Sequence, residues 1–319
     1  LGELEATLYV DSSGESLFKR GWREDKGDAP LKETLAAAML AAAGWRGTAQ
    51  AGGALHDPCC GSGTIAIEAA QIACGIAPGL KRRFAFERLL PFTSDTQRAE
   101  LQRLRSHAQA RVHASAVPIF ASDVSFRMVD FARRNAQRAG VEAAITFNGG
   151  DALERAAPIL PAGLPGTLMI NPPYGERIEP GGSRAGARIP PRSARAGDPG
   201  GSHPAELERR PQGGELAADA DVATPRLGPG QAAPPHELDN REAPRDFFAR
   251  LATHWKRAYT QHEAGWTAWV LSPDMKLPGA MRLKESRRVP MWNGPIECRL
   301  FRFDLVSGSA RPVRTHATS

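Results

Sequence analysis

The chain has 319 residues, 41% of them hydrophobic, enough to bury a core as one large domain or two smaller ones. Its formal charge of +6 favours a polyanionic partner, although ordinary solvated arginines account for such an excess equally well. The apolar run 35–43 is too short to span a bilayer and no signal-peptide layout opens the chain, so neither a membrane nor export is expected. Four cysteines, Cys59, Cys60, Cys74 and Cys298, match no zinc-ligand spacing and no disulfide framework, which predicts a reduced, cytoplasmic setting and no metal.

Alternation predicts strands over 6–11 and 16–22 around a turn beginning at Ser12. This opening hairpin, within 1–27, starts at Leu1 rather than a methionine and reads as the remnant of a linker from an absent upstream part. Asp28 as a cap, Pro30 early, Glu33 in the first turn and Gly44 past the end predict a helix over 28–44. A strand over 54–57, a glycine-rich turn and a helix over 64–74 ended by Gly75 follow. Residues 76–117 are charged, mixed and expected to be helical.

A strand over 118–123 ends in an acid, and Phe126, Val129, Ala132 and Ala136 then mark a helix that Gly140 stops. Strands are predicted over 144–147, 167–170 and 266–271, with a helix over 245–261 before the last of them. Two strand-like runs, 287–292 and 296–305, flank Asn293-Gly294, a strong hairpin signal. The pattern implies an α/β fold: a doubly wound, mostly parallel, Rossmann-like sheet of seven strands with an antiparallel hairpin at one edge. The stretch 179–243, rich in Gly, Pro, Ala, Arg and Ser, carries no apolar period and is expected to be a disordered insertion. It would split the core into 28–178 and 244–306, with a flexible tail over 307–319.

Chemistry concentrates first in Asp57-Pro58-Cys59-Cys60-Gly61-Ser62-Gly63-Thr64. Gly61 and Gly63 let the backbone turn tightly out of a strand and let a ligand approach, and the following helix aims free amides and a positive dipole end at that point. The same residues fit a loose dinucleotide fingerprint, or a tight turn without a ligand. Asp57, ahead of the first glycine, would repel a pyrophosphate and suits a cofactor carrying an amino group. Asp123, at a strand end, is placed for a ribose diol, and Asp151 for an adenine amine; each carboxylate is also suited to capping the helix that follows.

The second concentration is Asn171-Pro172-Pro173-Tyr174, directly after a strand. An exocyclic base amine is a poor nucleophile because its lone pair is delocalised into the ring. Acceptors that hold both its hydrogens turn that lone pair toward an electrophile, and the Asn171 side-chain oxygen and the Pro172 carbonyl are such acceptors. Pro172 and Pro173 stiffen the backbone, and Tyr174 can stack on an extruded base.

With these residues goes a resemblance that spans nearly the whole chain outside the insertion. It rests on Asp11-Ser12-Ser13-Gly14-Glu15 and Lys19-Arg20-Gly21-Trp22-Arg23, on Pro30-Leu31-Lys32-Glu33 and the Asp57 to Thr64 loop, on Phe84-Ala85-Phe86-Glu87 and Asn171-Pro172-Pro173-Tyr174-Gly175-Glu176, and on Ser286-Arg287-Arg288 with Asn293-Gly294-Pro295-Ile296-Glu297-Cys298. The chain resembles class I methyltransferases acting on base amines, and more narrowly the ribosomal large-subunit guanine 2-amino methyltransferases and relatives that carry an upstream THUMP domain.

That resemblance implies S-adenosylmethionine as cofactor. Asp57, Pro58, Cys59, Gly61, Ser62, Gly63 and Thr64 would surround its methionine part, Asp123 and Asp151 its ribose and adenine, Asn171 would border both cofactor and base, and Asn171, Pro172, Pro173 and Tyr174 would receive the base. Lys32 and Glu33 become secondary candidates beside the cofactor. The implied partner is 23S ribosomal RNA or its precursor, which the family docks through a THUMP domain that is missing from this sequence. Three other readings stay open: an adenine 6-amino DNA methyltransferase, a non-catalytic RNA-binding module of the same fold, and an NAD-dependent oxidoreductase using Glu87 as its ribose acid.

Overall fold

A computed structural model describes residues 7–27, 30–172 and 242–306. Seven strands form one sheet: β1 (Ala54–Asp57), β2 (Ile119–Asp123), β3 (Ile145–Gly149), β4 (Gly166–Ile170), β5 (Trp266–Ser272), β6 (Arg287–Asn293) and β7 (Ile296–Leu305). Their order is β3-β2-β1-β4-β5-β7-β6; the first five are parallel, and β7 runs antiparallel to both β5 and β6. The order reverses between β1 and β4, which makes the carboxyl ends of these two strands the topological switch point, where open α/β sheets bind ligands.

The helices are α1 (Glu33–Ala42), α2 (Thr64–Ala73), α3 (Asp95–Ala110), α4 (Phe126–Ala139), α5 (Glu242–Ala258) and α6 (Leu277–Met281). Strand periodicity sorts side chains onto two cores. On one face Leu55, Met169, Trp269 and Leu271 pack with α1, α2 and α4 through Met39, Leu40, Ile65 and Ala132. On the other, Ala54, Leu168, Ile170, Ala268 and Val270 meet Leu251 and Trp255 of α5 and Leu277 and Met281 of α6. Every strand position of β1 and β4 is buried, as expected of central parallel strands covered on both faces.

Four expectations are corrected. Residues 7–27 carry no strand; Leu8, Tyr9 and Val10 are exposed, and from Ser12 onward the segment forms a strap laid over the α2 side of the molecule. The cause is local hydrogen bonding: the Asp11 carboxylate accepts the Ser13 and Gly14 amides, and the Arg82 guanidinium donates to the carbonyls of Ser13, Glu15, Ser16 and Lys19. Trp22, 2% exposed, pins the strap to the core, a burial worth about 1.5–3 kcal/mol. The first helix begins at Glu33 instead of residue 28, because Lys32 is extended and Glu33 is buried in an ion pair with Arg23.

No helix follows Asp151. The chain makes a single turn there, with the Leu153 amide donating to the Asp151 carboxylate at 2.9 Å. The short helix α6 was not anticipated, since five residues are too few to show a helical period. Within 76–117, two 3-10 turns (Ala85–Arg88 and Leu90–Phe92) precede α3, none of whose residues is buried. The expected insertion 179–243 and tail 307–319 lie outside the described residues, apart from the start of α5. No helix of the described residues is long and apolar enough to cross a membrane.

Candidate active site

A cleft of about 800 Å³ opens at the carboxyl ends of the strands. Its lining gathers Asp57, Pro58, Cys59, Gly61, Ser62, Thr64, Asp123, Asp151, Asn171 and Pro172, residues drawn from four strands and far apart in the chain. The arrangement divides at the switch point: the three acids follow β1, β2 and β3, whereas Asn171 and Pro172 follow β4, with Phe247, Pro273, Asn293 and Ile296 on the same side. Pro173 and Tyr174 lie outside the described residues.

Gly61 has φ 52° and a Cβ built on it meets no atom within 4 Å, so its missing side chain leaves cleft space open. Gly63 is different. It is absent from the lining and caps α2 at φ 90°, where a Cβ would stand 2.9 Å from the Cβ of Ala132; it serves the packing of α2 on α4. The loop between them is braced from behind. Arg23 donates to the Ser62 and Thr64 hydroxyls at 3.0 and 2.7 Å, to the Leu31 carbonyl at 2.9 Å and to the Glu33 carboxylate at 2.8 Å. Asn135, fully buried, donates to the carbonyls of Ser62 and Asp25.

Glu33 is thus a structural partner of Arg23, and Lys32 sits over the Phe18 ring at 5.1 Å; neither lines the cleft. Arg23 stands in the sequence only as the last residue of the Lys19-Arg20-Gly21-Trp22-Arg23 motif, without a role, and Asn135 carries no signal of its own. Neither belongs to a periodic pattern or a turn signal, and only the long-range packing of the strap shows what they do.

Asp57 is 1% exposed and accepts the Cys59 amide at 3.2 Å. Burial, reinforced by the nearby Asp123 charge, pushes its carboxyl well above the usual range. Asp123 accepts the Gly61 and Ser125 amides, both at 2.9 Å, yet burial still raises its carboxyl. Two carboxylates crowded into a low-dielectric wall favour a bound cation or a donor-rich ligand, which relieves both.

Below them lies a polar chain: the Tyr259 hydroxyl meets His56 Nδ1 at 3.0 Å, and His56 Nε2 meets the Ser122 hydroxyl at 3.3 Å. Burial lowers His56 to about 3, so the ring is neutral at physiological pH. His56 precedes Asp57 and Ser122 precedes Asp123, so this chain ties together the strand ends that carry the two acids.

Glu87 lies elsewhere. Its carboxylate takes the Phe84 amide and Arg105 on another face of the molecule, whereas the acid beside the glycine loop is Asp123. This placement removes the oxidoreductase reading. Among the described residues no group of three His, Cys, Asp or Glu side chains stands together to hold a metal.

A seven-stranded sheet of this order, with a glycine loop, acids ending β1 and β2 and a third just past β3, defines a methyltransferase-type fold. The family of RMKL-like methyltransferase domains matches residues 20–185, just over half of the chain, and the chain belongs to that family. Similar curated proteins include the ribosomal RNA large subunit methyltransferase K/L of Shewanella loihica, 32% identical over 312 residues, covering 96% of this chain and 33% of that protein. Its namesake in Shewanella pealeana is 31% identical over 310 residues, covering 97% and 34%. The chain spans about a third of the length of these relatives.

Among solved structures, a possible methylase from Clostridium difficile 630 superposes with a TM-score of 0.63 at 25% identity, covering 95% of this chain and 59% of that one. SMU.472, described as a methyltransferase and complexed with SAH, superposes at 0.62 and 24%, covering 94% and 58%. These likenesses extend over nearly the whole chain and bear on its fold.

Proposed function

We propose that the chain uses S-adenosylmethionine to methylate an exocyclic amine of a base in RNA, the guanine 2-amino group of large-subunit (23S) ribosomal RNA or its precursor. The observation that carries this reading is the meeting of Asn171 and Pro172 with Asp57, Asp123, Asp151 and the glycine loop in one cleft. The names of the curated relatives, which specify the large ribosomal subunit, support the substrate. The four cysteines are free and fit a reduced cytoplasm.

The cleft suits that cofactor on its own features. Asp57 is a buried carboxylate that a substrate ammonium would satisfy, Gly61 leaves room beside it, and Asp123 and Asp151 offer acceptors to a ribose diol and an adenine amine. Bound there, S-adenosylmethionine supplies a methyl group already activated on a sulfonium.

The protein's task is then positioning, which can account for roughly 7–11 kcal/mol of barrier. Asn171 and the Pro172 carbonyl accept the two amine hydrogens and aim the lone pair, while Tyr174 holds the ring plane. With Asp57, Asp123 and Asp151 holding the donor, the methyl would pass from its sulfur to the aimed amine nitrogen, S-adenosylhomocysteine would leave, and the surplus proton would pass to solvent.

The test is to incubate the full chain with labelled S-adenosylmethionine and large-subunit ribosomal RNA, and to digest the product for nucleoside mass spectrometry. N2-methylguanosine is expected. N6-methyladenosine would overturn the base assignment, and unlabelled RNA would overturn the reading.

A further inference from the structure

We propose that a second groove, separate from the cleft, docks the phosphate backbone of a single-stranded RNA substrate without regard to its sequence; this rests on the RNA reading above. The groove, of about 820 Å³, runs between strap residues 14–21 and the segment from Lys81 to Arg105. Seven of its lining side chains are Lys or Arg and two are Glu, a large share of a chain whose whole formal charge is +6.

Internal pairing does not cancel this charge. Glu87 is taken up by the Phe84 amide and by Arg105, which hold its carboxyl below the usual range despite partial burial. Glu15 pairs with Lys19, and Arg20 with Glu68. Lys81, Arg82, Arg83 and Arg88 remain, and none has a carboxylate at ion-pair distance among the described residues. Arg82 spends its donors on four backbone carbonyls, which satisfy hydrogen bonds but carry no formal charge. Lys81, Arg83 and Arg88 are exposed on the groove.

The aromatic side chain in the lining, Phe84, already stacks on Phe86 at 5.5 Å and lies under Arg82 at 5.2 Å. The groove therefore offers charge without a free stacking platform, which selects phosphates over bases. The strap connects the two places: its residues up to Gly21 wall the groove, and Gly27 walls the cleft. Six residues of chain span at most about 20 Å, so a strand gripped in the groove passes within that distance of the cleft wall at Gly27.

The test compares the full chain with the triple variant Lys81→Gln, Arg83→Gln, Arg88→Gln, and separately with Arg88→Glu. Binding of a fluorescein-labelled single-stranded RNA is measured by anisotropy against salt concentration, and S-adenosylmethionine affinity by calorimetry as a check on the fold. The triple variant is expected to bind RNA more weakly, with a log–log salt slope shallower by about 2, the loss of three phosphate contacts on a single strand. Arg88→Glu should weaken binding in the same direction, and cofactor affinity should hold in both.

Unchanged slopes in both variants would overturn the groove, even where ribosomal RNA is still methylated. A slope loss seen with duplex DNA and absent with RNA would overturn RNA as the occupant. A slope loss on RNA with no methylated nucleoside formed would keep the groove and sink the proposed function alone.

Discussion

Asp123 reaches from the end of β2 to take the Gly61 amide at 2.9 Å, so one of the acids assigned to the cofactor also holds the glycine loop in shape. The two duties separate by substitution. Asp123→Ala removes the acceptor for Gly61 and Ser125 and should both weaken S-adenosylmethionine binding and lower stability by about 1–3 kcal/mol. Asp123→Asn keeps a neutral acceptor, so it should recover most of the stability and less of the affinity. Calorimetric titration and urea melts on the same samples distinguish the effects; equal affinity in all three proteins would remove Asp123 from the site.

Asn171→Ala should cut turnover by about 10²–10³-fold, the usual loss when one oriented polar group is removed from a reacting centre. Cofactor affinity should stay within twofold or so, because the acids on the far side of the switch point are untouched. Single-turnover rates with labelled cofactor decide this, and an unimpaired rate would end the amine-orienting role.

Asp57 gives a prediction of opposite sign for stability and function. Its carboxyl is raised in the fold, so its contribution favours the folded state below the ordinary value of 3.8 and is lost as pH rises through the higher folded value. Asp57→Asn removes that penalty, and the cofactor-free variant should melt higher than the parent at neutral pH but not in acid. Its affinity for S-adenosylmethionine should fall by about 10–100-fold, the worth of one charge-assisted hydrogen bond. Thermal melts across pH, paired with titrations at pH 7, test both halves.

Cofactor binding should also change the protonation of the site. Because Asp57 and Asp123 are raised by burial, bringing an ammonium against Asp57 pulls its carboxyl down and releases protons in weakly acid buffer. Calorimetry at pH 5.5 or so, in buffers of different ionisation enthalpy, reads the proton count directly. No dependence on the buffer would mean that Asp57 does not meet the ammonium.

His56 supplies the acid limb. Its folded value of about 3 lies below the ordinary 6.5, so stability is lost as pH falls from 6.5 toward 3. Tyr259→Phe leaves His56 Nδ1 without its partner, at a cost of about 1–3 kcal/mol. Denaturation midpoints at neutral pH should show that loss. Cofactor affinity should weaken too if the buried chain spaces the two acids, and an unchanged affinity would reduce Tyr259 to packing.

The parallel strands were legible because they are short, mostly apolar runs flanked by glycine, proline or an acid, the edge pair β6 and β7 because it flanks Asn293-Gly294, and α4 announces itself through Val129, Ala132 and Ala136 with Gly140 behind them. The acids at the strand ends were legible for the same reason: topology alone brings strand carboxyl ends together. What escaped depends on distant partners. The strap looks like a hairpin by alternation, yet Arg82, some 60 residues further on, takes its carbonyls. Gly63 resembles a ligand-facing glycine in the motif, and only the approach of Ala132 shows otherwise. The motif holding Arg23 is local but its role is not, and Asn135 has no local signature at all, since both act only once the strap is laid across α2 and α4.

The switch point between β1 and β4 has an evolutionary corollary. Acids on one bank and the asparagine corner on the other are borne by different strands, joined through a sheet whose central positions tolerate little change. On the proposed reading, a lineage that altered only the asparagine bank would change its nucleic-acid target and keep the methyl-donor bank as inherited.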